Sequence, residues 1–269
     1  MCGRYVITSS PEALRRLFAY VEMPNFPARY NIAPTQPIPV VLQEQGARHF
    51  QLMRWGLLPS WVKDPRKFAL VINARSETVQ DKPAFRNALR RRRCLVPADG
   101  YYEWQDAGGR KRPFFIHARN GQPIAFAGLA ETWMGPNGEE LDTVAICTTQ
   151  APDEMRALHD RVPVSVAPDD FETWLDCAAV DPEQAMALLT SPPPGRFVWH
   201  EVSTAVNRVA NDGPQLLLPV SLEDTASAAK PVPKSVSKSV PKSMPKPAPK
   251  PRAAKPKPTP ANDDQGSLF

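Results

Sequence analysis

Short apolar runs with strand-like alternation dominate the first two thirds of the chain. They predict strands at residues 4–8, 38–42, 49–55, 94–96, 100–105, 113–118, 124–132 and 143–148. Turn-forming clusters, Asp106-Ala107-Gly108-Gly109 and Gly135-Pro136-Asn137-Gly138, separate several of them. Helical patterns cover 11–19, 83–91, 153–158, 168–175 and 182–189. Most open with Pro or Asp in the first turn, where a missing N–H or a negative charge is tolerated. Two last core strands are expected at 197–202 and 215–219. Many short strands with few helices predict an α+β fold that is β-rich, with a barrel-like core and short peripheral helices.

The pattern stops near residue 224. Beyond it the chain reads KPVPKSVSKSVPKSMPKPAPKPRAAKPKPTP, with Lys at 234, 238, 242, 246 and 250. Proline removes backbone donors and the lysines repel one another, so a disordered basic arm is expected. This divides the chain into a domain over 2–221, a basic tail over 222–260 and an acidic-to-apolar end over 261–269. The charge follows the same division. Residues 225–269 hold eight Lys, one Arg and two Asp, net +7, which leaves 24 basic and 26 acidic groups on residues 1–224. The high isoelectric point therefore describes the tail and not the domain.

Four cysteines occur, Cys2, Cys94, Cys147 and Cys177, without CxxC spacing or a Cys/His cluster suited to zinc. Cys94 and Cys147 lie in apolar runs and read as buried reduced thiols. With no secretory leader pattern and no apolar run near ~18 residues, this points to a cytoplasmic protein without a membrane span. Cys2 is different. A small second residue permits removal of the initiator methionine, which puts a free α-amine and a thiol on one Cα. Such a 1,2-aminothiol condenses with an aldehyde to an imine, and the thiol then closes a thiazolidine. The two groups have reference pKa values of ~7.7–8.0 and ~8.5, so both nucleophiles exist near neutrality.

Behind MCGR come RYNIAPTQ (29–36), RWGLLPSW (54–61), NARSET (73–78), RRCLVPADGYYEW (92–104), HDRVPV (159–164) and NDGP (211–214). In this order they resemble the SRAP family, the SOS-response-associated peptidase or abasic-site-processing proteins, over roughly residues 2–221. The resemblance implies a barrel-like core with a concave nucleic-acid surface. It also implies an enzyme that crosslinks through Cys2 to the ring-opened aldehyde of abasic sites in single-stranded DNA, with no metal or organic cofactor.

By that match Asn73 holds the cysteine or the opened sugar by amide hydrogen bonds, and Arg75 grips a flanking phosphate. Glu103 takes the proton-shuttling role. Alternation along its strand sets Tyr101, Glu103 and Gln105 on one face and Tyr102 and Trp104 on the other. A carboxyl in a desolvated, aromatic-flanked cleft can hold and release a proton near neutrality. His159, at the end of the expected 153–158 helix, is assigned to the sugar oxygen as the ring opens. Arg4 and Arg161 are read as phosphate contacts, Pro34 as part of the same DNA surface, and Trp61 as a stacking face beside an unpaired base. The plainer alternatives are a turn Asn, an exposed strand Glu, a capping His, surface ion pairs for the arginines and a core Trp, the last preferred for Trp55. Arg90–Arg93 reads equally as a nucleic-acid patch or as cations closing a helix.

Three other functions fit parts of the chain. A class II glutamine amidotransferase also begins Met-Cys-Gly and uses that cysteine for acyl transfer, but NARSET, GYYEW and HDRVPV do not resemble that family. An autopeptidase would share Cys2 and Glu103. A DNA-binding module would leave Cys2 incidental. Separately, Gln265, Leu268 and Phe269 match the Q-x-x-L-F pentapeptide of sliding-clamp ligands, with Gly266 where an apolar residue is usual. On a long tether this end would hold a monomeric domain near replicating DNA, and the lysines would add salt-sensitive affinity.

Overall fold

The computed structural model describes residues 2–220, so the basic arm and the clamp-like end lie outside the described residues. The chain begins with β1 (Tyr5–Ile7), helix α1 (Pro11–Phe18), β2 (Arg29–Ile32), β3 (Pro37–Glu44) and β4 (Ala47–Trp55). It continues through β5 (Asn73–Arg75), α2 (Pro83–Arg91), β6 (Arg93–Ala98), β7 (Gly100–Ala107) and β8 (Arg110–Ala118). Then follow β9 (Ile124–Met134), β10 (Glu140–Gln150), β11 (Arg161–Pro163), β12 (Ser165–Val166), α3 (Phe171–Leu175), α4 (Pro182–Met186) and β13 (Phe197–Glu201).

Five of these strands close into a barrel. β4, β3, β6, β9 and β10 pair in that order, and β10 returns to β4 through the parallel pairs Thr143↔Arg54 and Val144↔Trp55. Closure removes the open edges a sheet would otherwise expose. The expected turn at 135–138 joins the two longest strands, with Gly138 at φ +87°, where a side chain would be strained. A second sheet, in the order β13-β8-β7-β1-β2, lies against the barrel. Tyr5 packs edge-on against Trp55 and Phe126, and Tyr101 against Phe126. These rings join the two sheets directly beside Cys2, which is buried in the same core. Close approach also explains Gly100: a Cβ there would meet the Phe115 ring at 2.5 Å and the Ile116 carbonyl at 2.6 Å.

Two expected elements are corrected. Residues 153–158 form a single 3-10 turn, Asp153–Met155, and not a helix. Pro152 precedes it without a side-chain cap, and one turn cannot propagate. His159 therefore does not sit at a helix C-terminus. The strand expected at 215–219 is instead a 3-10 turn, Pro214–Leu217, followed by the bridge Val202↔Pro219 and a Val220 N–H donated to the Glu201 carbonyl at 3.0 Å. The basic run also divides. Arg93 is buried and donates to the carbonyls of Leu89, Trp174, Asp176 and Val180, while Arg92 pairs with Asp142. Both are structural cations.

Candidate active site

The N-terminal segment runs along β7, so Tyr5 faces Tyr101 as a cross-strand pair. Glu103 lies two residues on, on the same face of β7, and is 5 % exposed. Cys2 is fully buried. Burial, aided by the Glu103 carboxylate, pushes its thiol up to about 12. At neutral pH the sulfur therefore carries its proton, and Glu103 is the carboxylate that acts on it. Glu103 Oε1 accepts from the Trp104 N–H at 3.2 Å. The Tyr5 and Tyr101 hydroxyls are buried without a protein partner.

A second group forms around the C-terminal half of β10. β5 pairs with it in parallel, setting Asn73 against Ile146 and Arg75 against Thr148. The Asn73 amide donates to the Ile146 carbonyl at 3.5 Å, and its Oδ1 is buried with no protein partner. Asn73, exposed Arg75 and Trp61 line one open cleft of about 610 Å³ with Phe68, Lys82 and Phe85. Trp61 is 57 % exposed and meets Phe68 edge-to-face. It is a rim residue and not a core one, whereas Trp55 is fully buried.

On the other side of β10, β11 carries Arg161. Its Nη1 and Nη2 donate to the two Glu77 carboxylate oxygens, each at 2.9 Å, and Nη2 also donates to the Thr148 carbonyl at 2.6 Å. His159 lies two residues upstream. Its Nδ1 lies 3.0 Å from the Arg161 backbone N–H and 2.7 Å from Asp160 Oδ1. The His159 loop is tied to the Glu103 strand by Gln105, whose amide donates to the Ala157 carbonyl at 2.9 Å.

Arg4 leaves β1 on the opposite face from Tyr5. Its Nη1 donates to Asn31 Oδ1 at 2.7 Å and to the Val206 carbonyl at 2.9 Å, and the guanidinium lies over the Trp104 ring. Pro34 sits half-buried in the turn between β2 and β3, beside Thr35 at φ +73°. The structure thus brings Cys2 together with Glu103, and Asn73 with Arg75 and Trp61. Arg161 joins the second group through Thr148, Gln105 ties the His159 loop to the Glu103 strand, and Arg4 meets Cys2 through its backbone while its side chain turns to Asn31 and Val206. Among the described residues no cluster of His, Cys, Asp and Glu is suited to a metal ion, and no helix is long and apolar enough to cross a membrane.

Glu77, Thr148 and Asn31 were not legible from sequence. Asn31 is buried and donates to the carbonyls of Val206, Arg208 and Asn211, so it ties residues 206–211 to Arg4. Glu77 and Asn31 do lie inside the NARSET and RYNIAPTQ motifs, which is the one signal that could have drawn attention to them.

The chain is similar to the abasic site processing protein YoqW of Bacillus subtilis, 34 % identical over 221 residues, spanning 81 % of this chain and 99 % of that one. It is 34 % identical to the abasic site processing protein HMCES of Gallus gallus, over 82 % of this chain and 79 % of that one. The abasic site processing protein YedK of Escherichia coli is 32 % identical, over 82 % and 100 %. Among solved structures, a protein of Bacteroides thetaiotaomicron shares the fold with a TM-score of 0.74 at 21 % identity, covering 82 % of this chain and all of that one. A phage-related protein of Bordetella bronchiseptica matches with a TM-score of 0.61 at 30 % identity, covering 75 % of this chain and 94 % of that one. A family model described as SOS response associated peptidase (SRAP) matches residues 1–209, and the chain belongs to that family.

Proposed function

We propose that this protein captures abasic sites in single-stranded DNA by forming a thiazolidine with its N-terminal cysteine. The observation that carries the reading is the burial of Cys2 against Glu103, in a chain about one third identical to proteins named for abasic site processing. Removal of Met1 frees the α-amine. The abasic sugar opens to its aldehyde, with the His159 ring donating to the sugar oxygen. The amine adds to the aldehyde carbon, and the carbinolamine loses one water to give a protonated imine. Sulfur then attacks the imine carbon. Its proton passes to the Glu103 carboxylate while the C=N pair returns to nitrogen, closing the five-membered ring with no net oxidation. Asn73 Oδ1 has an open acceptor for the sugar or the amine. Arg75 and Trp61 supply phosphate and base contacts, so the strand is read by backbone and shape alone.

The test is a denaturing gel of protein incubated with a single-stranded oligonucleotide carrying one abasic site. Wild type should give a heat-stable adduct, and Cys2→Ala should give none. Adduct formation by Cys2→Ala would end the aminothiol reading.

We also propose that Gln265, Leu268 and Phe269 dock on a bacterial sliding clamp, with the lysine tract as tether. Deleting residues 265–269 should abolish retention on immobilised clamp while leaving crosslinking of a short oligonucleotide unchanged. A full-length protein that is not retained at low salt would rule this out.

A further inference from the structure

The surface proposed to receive a DNA strand carries an acid among its cations. Glu77 lies two residues after Arg75, and both of its oxygens are taken by Arg161. Arg161 holds the Glu77 carboxyl below its ordinary value chiefly by hydrogen bonding, and Arg75 adds a smaller pull in the same direction. Counted as charge alone, a carboxylate here opposes the binding of any phosphate. Its geometry offers a reason for its presence. A guanidinium has five N–H bonds on a rigid plane. Glu77 claims one on each Nη, and Thr148 claims the other on Nη2 with its carbonyl, assisted by its hydroxyl at 3.3 Å. Two N–H bonds remain, one on Nη1 and one on Nε, and the Nε atom is buried with no protein partner. A long side chain that would otherwise sample many rotamers is held in one plane, at 11 % exposure.

We propose that Glu77 is a positioning residue for DNA: with Thr148 it locks the Arg161 guanidinium so that its remaining Nη1 N–H meets a backbone phosphate next to the lesion. The inference rests on the DNA reading given above. It reverses the sign that charge counting assigns to Glu77. Glu77→Gln should weaken binding although it removes a negative charge from an anion-binding face.

The experiment measures equilibrium binding of an undamaged single-stranded oligonucleotide across a salt series, so that no crosslink interferes. Wild type, Glu77→Gln, Glu77→Asp, Arg161→Gln and the Glu77→Gln/Arg161→Gln double variant are compared, each with its melting temperature. Glu77→Gln should bind about 5- to 10-fold more weakly, with the salt slope reduced by about 0.7, the value of one lost phosphate contact on a single strand. Glu77→Asp should recover part of the affinity, and Glu77→Gln should add nothing in the Arg161→Gln background. Binding of Glu77→Gln at or above wild-type affinity overturns the inference, as does an equal loss in both backgrounds. A wild type that fails to bind the oligonucleotide at any salt removes the DNA reading itself, and this inference with it.

Discussion

Cys2 and Arg75 serve one proposed site in opposite surroundings. Cys2 is fully buried, with a thiol pushed up to about 12, on the face where the second sheet meets the barrel. Arg75 is exposed on the wall of an open cleft, beside a Trp61 that is more than half exposed. Bond formation gains from a dry site, where a fixed carboxylate acts at full strength and water cannot compete for the imine. Capture of a strand gains from exposed cations and aromatic faces that diffusing DNA can reach. The two regions should therefore separate in kinetics. Changes beside Cys2 should alter rate at saturating DNA, and changes along the cleft should alter affinity.

The strongest attempt to break that division is Glu103→Gln. The amide cannot accept the thiol proton, and single-turnover crosslinking at saturating DNA should slow by about 10²- to 10⁴-fold. Affinity for undamaged strand should stay within about twofold, well inside one tenfold step of ~1.4 kcal/mol. Trp61→Ala should do the reverse. Loss of a stacking face costs ~1–3 kcal/mol in binding, read as a higher Kd with an unchanged rate at saturation. Arg75→Gln should weaken binding by ~1 kcal/mol and lower the salt slope by about 0.7. Equal slowing of crosslinking at saturation by all three would erase the distinction.

The smallest effect is expected far from both regions. Glu201 pairs with Arg112 across β13 and β8, and that hydrogen bond holds its carboxyl below its ordinary value. A depressed folded-state value stabilises the fold above the unfolded value of ~4.3, and the gain is lost as pH falls through the folded value. Because the pair is partly exposed, Glu201→Gln should cost at most ~1 kcal/mol at pH 7 and nothing near pH 2. Melting curves at the two pH values check this, and neither crosslinking rate nor DNA affinity should change.

The alternation of apolar residues made most of the barrel legible, because a long strand shows its period in its own residues. β9 and β10, at 11 residues each, were found in part, short of their full length. β5 and β12 were not found, because two or three residues hold no period and their pairing depends on distant partners. The same limit applies at the site. The alternation in 100–105 put Glu103 on the same face as Tyr101, and the structure buries both, together with Tyr102 on the opposite face. The direction of Arg4 was not readable, since it depends on residues 206–211 folding back over the sheet. The Glu77–Arg161 pair spans 84 positions and follows only from β5 and β11 flanking the same strand.

The central claim is that a freed Cys2 becomes covalently joined to an abasic sugar, and intact-protein mass spectrometry tests it most directly. Wild type and Cys2→Ala would be weighed after incubation with a single-stranded oligonucleotide carrying one abasic site. The account predicts a wild-type protein lacking Met1 and an adduct equal to protein plus DNA minus one water, with none for Cys2→Ala. A wild-type protein that has lost Met1 and yet forms no adduct would contradict it.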